Sequence, residues 1–336
     1  MPRWIGQLNE EKMRWWREAR FGIFVHWGLY SLLGGIWEGR RIPGYSEWIR
    51  YRARIPKKKY ESLAAKFNPV NYRPEEWASI IKKSGAKYVI ITAKHHDGFC
   101  MFETKSTKFN IVDSSSFRRD VIKELASACR KEGLKFGIYY SQLDWHMSDR
   151  LSMFPKYKNF PEYINYMKQQ LRELLTNYGT IDILFFDGDW MPQWNHKIGQ
   201  EIELYCRSLQ PKIIINDRVG KRPWLAYVRF APRLYTENPY GDYLTPEQFV
   251  SRTALHRDWE TNMTMNDSFG YKSWSNSWKS TKELINYLVD TSSKGGNFLL
   301  NIGPDGTGKI PYESEERLSQ IGKWLETNGF TIFKPT

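Results

Sequence analysis

Ile91-Thr-Ala-Lys-His-His-Asp-Gly-Phe99 starts as an apolar strand and ends in two imidazoles, a carboxylate and a glycine. Such groups are costly to bury and useful where a reaction takes place. The same design recurs along the chain. Phe21-Gly-Ile-Phe-Val-His26 ends in histidine, and Phe136-Gly-Ile-Tyr-Tyr-Ser141 leads to Asp144 and Trp145. Ile181-Asp-Ile-Leu-Phe-Phe-Asp-Gly188 ends at Asp187, and Ile213-Ile-Ile-Asn-Asp-Arg218 ends at Arg218. Five strands that each deliver polar groups at their C-terminal ends predict an α/β fold, a (β/α)8 TIM-like barrel with one active face.

Helical spacing fills the intervals between strands. Trp77, Ile80 and Ile81 predict a helix over 74–83, with Pro74 suited to its first turn. Val121, Leu125, Ala128 and Cys129 share a face of a helix over 120–132, stopped by Gly133. Further helices are expected over 161–177, 197–209, 282–292 and 314–326. Strands are expected near 22–26, 88–92, 136–140, 181–186, 212–215, 234–237, 263–265 and 297–302. Eightfold β/α alternation with right-handed crossovers gives a single barrel domain over residues 1–336. No linker, low-complexity tract or short repeat divides it.

The 336 residues are enough to bury roughly three quarters of the unfolded surface without a staple. Cys100, Cys129 and Cys206 are too few and too scattered for a disulfide framework, and none sits in a CxxC pair. That fits a reducing compartment and predicts a cytoplasmic protein. The N-terminus lacks a signal-type apolar core, and no window approaches 18 apolar residues, so no membrane is expected. The net charge of +13 raises nucleic acid as a partner, but its longest basic run is Lys57-Lys58-Lys59 beside Glu61, which reads as a solvated helix start. No nucleic-acid partner is expected. The 15 Trp, 20 Tyr and 18 Phe fit either a large core or faces that pack on sugar rings.

Alternate residues of a barrel strand face the interior, so Asp187 groups with Phe185 and Ile183, His26 with Phe24, Tyr139 with Ser141, and Arg218 with Asn216. Any one polar residue could be a loop cap; agreement over five strands points to a site. H-E-x-x-H is absent, and adjacent His95 and His96 suit a single metal poorly. There is no G-x-S-x-G elbow, P-loop or dinucleotide fingerprint. What remains is a carboxylate pair among neutral donors around a polyhydroxylated substrate, the chemistry of glycoside hydrolysis.

At this level the chain resembles the α-L-fucosidases of glycoside hydrolase family 29. The motifs are Ala19-Arg-Phe-Gly-Ile-Phe-Val-His-Trp-Gly-Leu-Tyr-Ser31, Ser46-Glu-Trp48, Ala93-Lys-His-His-Asp-Gly-Phe99, Tyr139-Tyr-Ser-Gln-Leu-Asp-Trp145, the segment 181–188, Asn216-Asp-Arg218, Gly241-Asp-Tyr-Leu-Thr-Pro-Glu247, Asn266-Asp-Ser-Phe-Gly-Tyr271 and the segment 295–305. The resemblance implies a retaining exo-α-L-fucosidase acting on a fucosylated oligosaccharide or glycoconjugate, with no cofactor and no metal. It implies Asp187 as nucleophile and Glu247 as general acid/base, with Glu237 in reserve. His26, His95 and His96 are similar to the hydroxyl binders, Glu47 and Trp48 to the pair lining the sugar pocket, and Tyr139 and Arg218 to further subsite residues. Family members commonly carry Trp two positions before the nucleophile. Here it is Phe185, which bears on substrate preference.

Members also usually carry a β-sandwich after the barrel. The sequence reaches Thr336 without one, so an uncovered flank and a homo-oligomer are expected. The alternatives are a barrel glycosidase or transglycosidase acting on a related sugar, a catalytically silent fucose-binding protein, and, more remotely, a metal-dependent hydrolase.

Overall fold

The computed structural model describes residues 3–222 and 240–333, with side chains from residue 10 onward. Its centre is a curled, all-parallel sheet of seven strands: β1 (Phe21–Val25), β2 (Tyr88–Lys94), β3 (Lys135–Ser141), β4 (Ile183–Asp187), β5 (Ile214–Ile215), β6 (Glu260–Thr264) and β7 (Asn297–Ile302). The order is β5-β4-β3-β2-β1-β7-β6. These strands are buried on both faces, as helix-covered parallel strands must be. Helix α1 (Arg3–Ala19) precedes the sheet. The covering helices are α2 (Pro74–Lys83), α3 (Val121–Lys131), α4 (Phe160–Asn177), α5 (His196–Leu209), α6 (Thr281–Ser293) and α7 (Tyr312–Ile332). Their starts follow ordinary capping chemistry. Asp120 accepts from the Lys123 N–H, Asn195 from the Ile198 N–H, and Ser280 with Glu283 forms a reciprocal capping box.

One apolar cluster fills the inside of the curl. Phe24, Tyr88, Ile90, Tyr139, Ile183, Phe185, Ile214 and Leu299 come from six strands at alternate positions. Gly22 belongs to this inner row, and a Cβ there would overlap the Tyr88 ring. The N-terminal end of the sheet is closed by α1, which the strand and helix spacing does not predict. Met13, Trp16 and Ala19 of this helix join the inner cluster, and the Trp16 ring lies 4.7 Å from that of Tyr243. Lys12 pairs with Asp242 at 2.6 Å and Arg17 with Asp258 at 2.8 Å, which holds the plug in place.

Most expected elements appear within two residues of their predicted limits; α2 and β7 match them. Expected strand five shortens to Ile214–Ile215, and the seventh moves upstream to Glu260–Thr264. The strand expected over 234–237 lies outside the described residues. Between the sheet's two edges runs the segment 243–247. It makes single parallel bridges from Tyr243 to Asn216, and from Leu244 and Glu247 to Trp259 and Asn262. Among the described residues the regular sheet therefore has seven strands rather than eight, with a bridged seam. The run Lys57–Glu61 is a short helix with exposed lysines, as expected.

Candidate active site

The C-terminal ends of the strands open into a cavity of about 880 Å³. On its floor β4 ends in Asp187, 7% exposed. The Tyr139 hydroxyl donates to its Oδ2 at 3.0 Å, and Arg218 Nη1 donates to Oδ1 at 2.8 Å. Burial opposes charge on Asp187, but the Arg218 guanidinium, His96 and Arg222 outweigh it and hold the carboxyl at about 2. Arg218 Nη2 reaches Glu247 Oε2 at 2.8 Å, so one guanidinium joins both carboxylates. Its Nε donates to Thr245 Oγ1 at 2.9 Å, and its plane lies 5.2 Å from the Phe185 ring centre. Glu247 is the more open of the two carboxylates, with its side chain 35% exposed.

Three imidazoles line the wall between β1 and β3. The Asn301 carboxamide donates to the Phe269 carbonyl at 2.7 Å, so its Oδ1 accepts from His26 Nδ1–H at 2.7 Å. The Ser141 hydroxyl donates to the Leu143 carbonyl, so its oxygen accepts from His96 Nδ1–H at 2.7 Å. Both rings thereby carry hydrogen on Nδ1, so that in the neutral form Nε2 is the acceptor. Burial pushes His26 down to about 3. Burial, with Arg218 and Lys94 adding to it, pushes His96 to about 4. Burial and the two neighbouring rings lower His95 as well. His96 Nε2 stands 3.6 Å from Asp187 Oδ2, beyond a direct hydrogen bond. Neutral acceptors beside an ionised carboxylate are suited to sugar hydroxyls.

Glu47 and Trp48 enter from a short 3-10 turn. Glu47 is buried and accepts from the Gly270 N–H at 2.8 Å and the Ser268 hydroxyl at 3.2 Å. Burial, with a small contribution from Glu247, raises it to about 7 despite those donors. Trp48 stacks on Trp190 at 6.0 Å and meets His96 edge-on at 5.1 Å. Tyr139 stacks on Phe185 at 5.9 Å and on His95 at 5.3 Å.

Every site residue named from sequence within the described residues lines this one cavity: His26, Glu47, Trp48, His95, His96, Tyr139, Phe185, Asp187, Arg218 and Glu247. Glu237 lies outside the described residues. Asn216 does not reach the cavity. Its carboxamide instead pairs with the Phe186 N–H and carbonyl, replacing a ladder bond where β5 stops. Sequence reasoning gave no role to Trp190, Phe269, Arg222 or Asn262, all in the wall. Phe269 lies in a quoted motif and Trp190 follows Asp187 by three positions, so proximity to motifs was the available signal. Among the described residues no cluster of metal-ligating side chains occurs, and no helix is long and apolar enough to cross a membrane.

A cavity floored by two carboxylates and walled by neutral imidazoles and aromatic rings defines a carbohydrate-processing enzyme of the glycoside hydrolase class. The comparisons are specific. The profile of the alpha-L-fucosidase family matches residues 2–330. A plasma alpha-L-fucosidase of Pongo abelii is 33% identical over 352 residues, covering 99% of this chain and 72% of its own. A Bacteroides thetaiotaomicron GH29 alpha-L-fucosidase superimposes with a TM-score of 0.87 at 30% identity, covering 96% of this chain and 76% of that one. It was captured as a covalent intermediate with 2-fluoro-fucosyl fluoride, in a variant with one glutamate changed to glutamine. The alpha-L-fucosidase AlfC of Lactobacillus casei, in complex with alpha-L-fucose product, gives 0.83 at 32% identity, covering 95% of this chain and 99% of that one. The chain belongs to the α-L-fucosidase family, glycoside hydrolase family 29.

Proposed function

We propose that this protein is a retaining exo-acting α-L-fucosidase that removes terminal α-L-fucose from glycans through a covalent fucosyl-enzyme. The observation that carries the reading is the single Arg218 fork holding both Asp187 and Glu247 at 2.8 Å. Two carboxylates on one planar group favour the short separation of about 5–5.5 Å used for direct attack over the wider gap of inverting enzymes. Asp187, held ionised, attacks the anomeric carbon, and the bond to the leaving oxygen breaks as that oxygen takes a proton. Glu247, once it has left Arg218 and taken up a proton, supplies it to that oxygen and then removes one from the water that releases fucose. His26 and His96 accept hydrogen bonds from sugar hydroxyls at Nε2, and His95 lines the same wall. Trp48, Tyr139 and Phe185 pack on the ring, and Arg218 keeps Asp187 charged.

Glu47, raised to about 7 inside the same cavity, supports a second reading in which it is the proton donor. Incubation with para-nitrophenyl α-L-fucoside, with the first-formed anomer read by proton NMR, tests the activity: α-L-fucose is expected, and β-L-fucose or no turnover overturns it. Comparing Glu47→Gln, Glu247→Ala and Glu237→Ala on good and poor leaving groups then identifies the donor.

The bridged segment 243–247 supports a further part of the proposal, that the sheet closes as an eight-position barrel with this segment at the seam. A homo-oligomer is also proposed. Tyr312 and Phe330 on α7 stand 70% and 65% exposed, the kind of apolar surface a second subunit covers. Light scattering showing a monomer at micromolar concentration refutes it. A cytoplasmic location fits three free, buried cysteines.

A further inference from the structure

His95 and His96 stand just past the end of β2, in the turn that follows it, and both face the cavity. The reason lies behind them. In the pairing of β2 with β3, Thr92 stands opposite Tyr139 and Lys94 opposite Tyr140, so β2 carries one extra residue there. Alternation would put Lys94 on the inner side with Tyr88 and Ile90. The bulge turns it outward to the side of Tyr140. There its ammonium meets Asp144 at 3.1 Å, with both side chains at zero exposure. It also donates to the Tyr140 hydroxyl at 3.1 Å, which in turn donates to Gln170 at 2.7 Å.

Asp144 is tied into the same structure. Its Oδ1 accepts from the His146 and Met147 N–H groups at 2.8 and 3.0 Å. Gly98, at φ +84°, closes the turn with its N–H on the His95 carbonyl at 3.0 Å. A Cβ on Gly98 would overlap the Asp144 carboxylate, so the glycine of the His-His-Asp-Gly run leaves room for that group. The next residue, Trp145, donates its N–H to the His96 carbonyl at 2.8 Å and packs its ring 5.6 Å from the His96 ring.

We infer that Lys94 and Asp144 are positioning residues: their buried ion pair pins the bulged end of β2 to the β3 loop and so aims both His95 and His96 at the sugar. Neither residue lines the cavity, so the effect passes through the imidazoles. A buried pair contributes little net stability against apolar or neutral replacements, whereas removing one partner leaves an uncompensated charge. The fold alone therefore has little need of this pair.

The inference rests on the fucosidase reading above. Its test is the double variant Lys94→Met with Asp144→Asn, in which the new carboxamide oxygen can still accept the loop N–H groups. With para-nitrophenyl α-L-fucoside, KM is expected to rise about tenfold, with kcat changed less than about threefold. Inhibition by free L-fucose is expected to weaken in parallel. An unchanged melting temperature alongside those changes supports positioning. A variant with wild-type KM and wild-type L-fucose inhibition, whatever its melting temperature, overturns it. If that double variant does not fold, Lys94→Gln with Asp144→Asn, which leaves no buried charge and keeps a polar pair, carries the same criteria, with a smaller rise expected. If the wild-type protein neither cleaves the fucoside nor binds fucose, the functional reading fails instead. In that event ¹⁵N-histidine NMR still decides: the Nδ1–H tautomer of His96 is expected to be lost in the variant, and its retention overturns the inference.

Discussion

The two ends of the sheet each bury a carboxyl group against tyrosine and reach opposite outcomes. At the C-terminal end Asp187 takes a hydrogen bond from Tyr139 and is held at about 2. At the N-terminal end Glu260 takes one from Tyr88, beneath the Trp16 plug, and is raised to about 8. Burial opposes charge in both places. Tyrosine donors do not reverse it at Glu260, where no cation among the described residues contributes. At Asp187 the Arg218 guanidinium, at 2.8 Å, does. One arginine thus separates a charged carboxylate from a protonated one, and the chemistry proposed above lies at the end that has it.

Removing the charged carboxylate should have the largest effect. Asp187→Asn is expected to cut kcat by about four orders of magnitude or more, some 5.5 kcal/mol of transition-state stabilisation, with an unchanged circular dichroism spectrum. A folded Asn variant that keeps a hundredth of the activity would break the contrast between the two ends. Next comes the proton donor. Glu247→Ala should lose about 10²–10⁴-fold in kcat/KM on a natural fucosyl linkage while largely sparing kcat/KM for aryl fucosides, whose leaving groups need little acid help, although their kcat falls because the second step loses its base. Azide should restore part of the lost turnover.

Arg218→Met sharpens the comparison by making the active end resemble the other. Asp187 sits below its ordinary 3.8, at about 2, so as pH falls the wild-type site meets protonation of His96, at about 4, before that of Asp187. Without the Arg218 cation, Arg222 is the remaining guanidinium that opposes burial, so Asp187 should rise past His96 and set the acid limb of kcat/KM, moving it up by about one pH unit or more, since each unit corresponds to 1.36 kcal/mol. An unmoved limb would assign the depression to another group.

The smallest effect belongs to Glu260. Its folded value is raised from an ordinary 4.5 to about 8, so between those values the folded state holds a proton that the unfolded state has released. Its contribution to stability is complete below 4.5 and is lost as pH rises toward 8. Glu260→Gln removes that slope. Relative to the wild type, the variant should gain roughly 2 °C or more in melting temperature on going from pH 5 to pH 8, with kcat/KM unaltered.

The residues of the candidate site were legible because they break the apolar pattern of their strands. An aspartate after Ile-Leu-Phe-Phe, or two histidines after Ile-Ile-Thr-Ala-Lys, has no cheap structural explanation. The helices were legible from caps and spacing, as at Asp120 and Ser280. Three things were not. The plug helix α1 is amphipathic, but its apolar face has meaning only once the open end of the sheet is known. The bulge at Thr92–Lys94 is a register shift between two strands, and a single strand's pattern does not contain it. Trp190 and Asn262 reach the wall because of how loops and edges close in three dimensions, which periodicity does not encode.

In the proposed mechanism the Asp187 carboxylate bonds to the anomeric carbon of fucose. Intact-mass spectrometry after exposure to 2-fluoro-fucosyl fluoride, followed by peptide mapping, tests it most directly. One fluorofucosyl equivalent per chain is expected, carried on Asp187, and none on Asp187→Asn. Label on a different residue, or no label while the enzyme still turns over that fluoride, would contradict it.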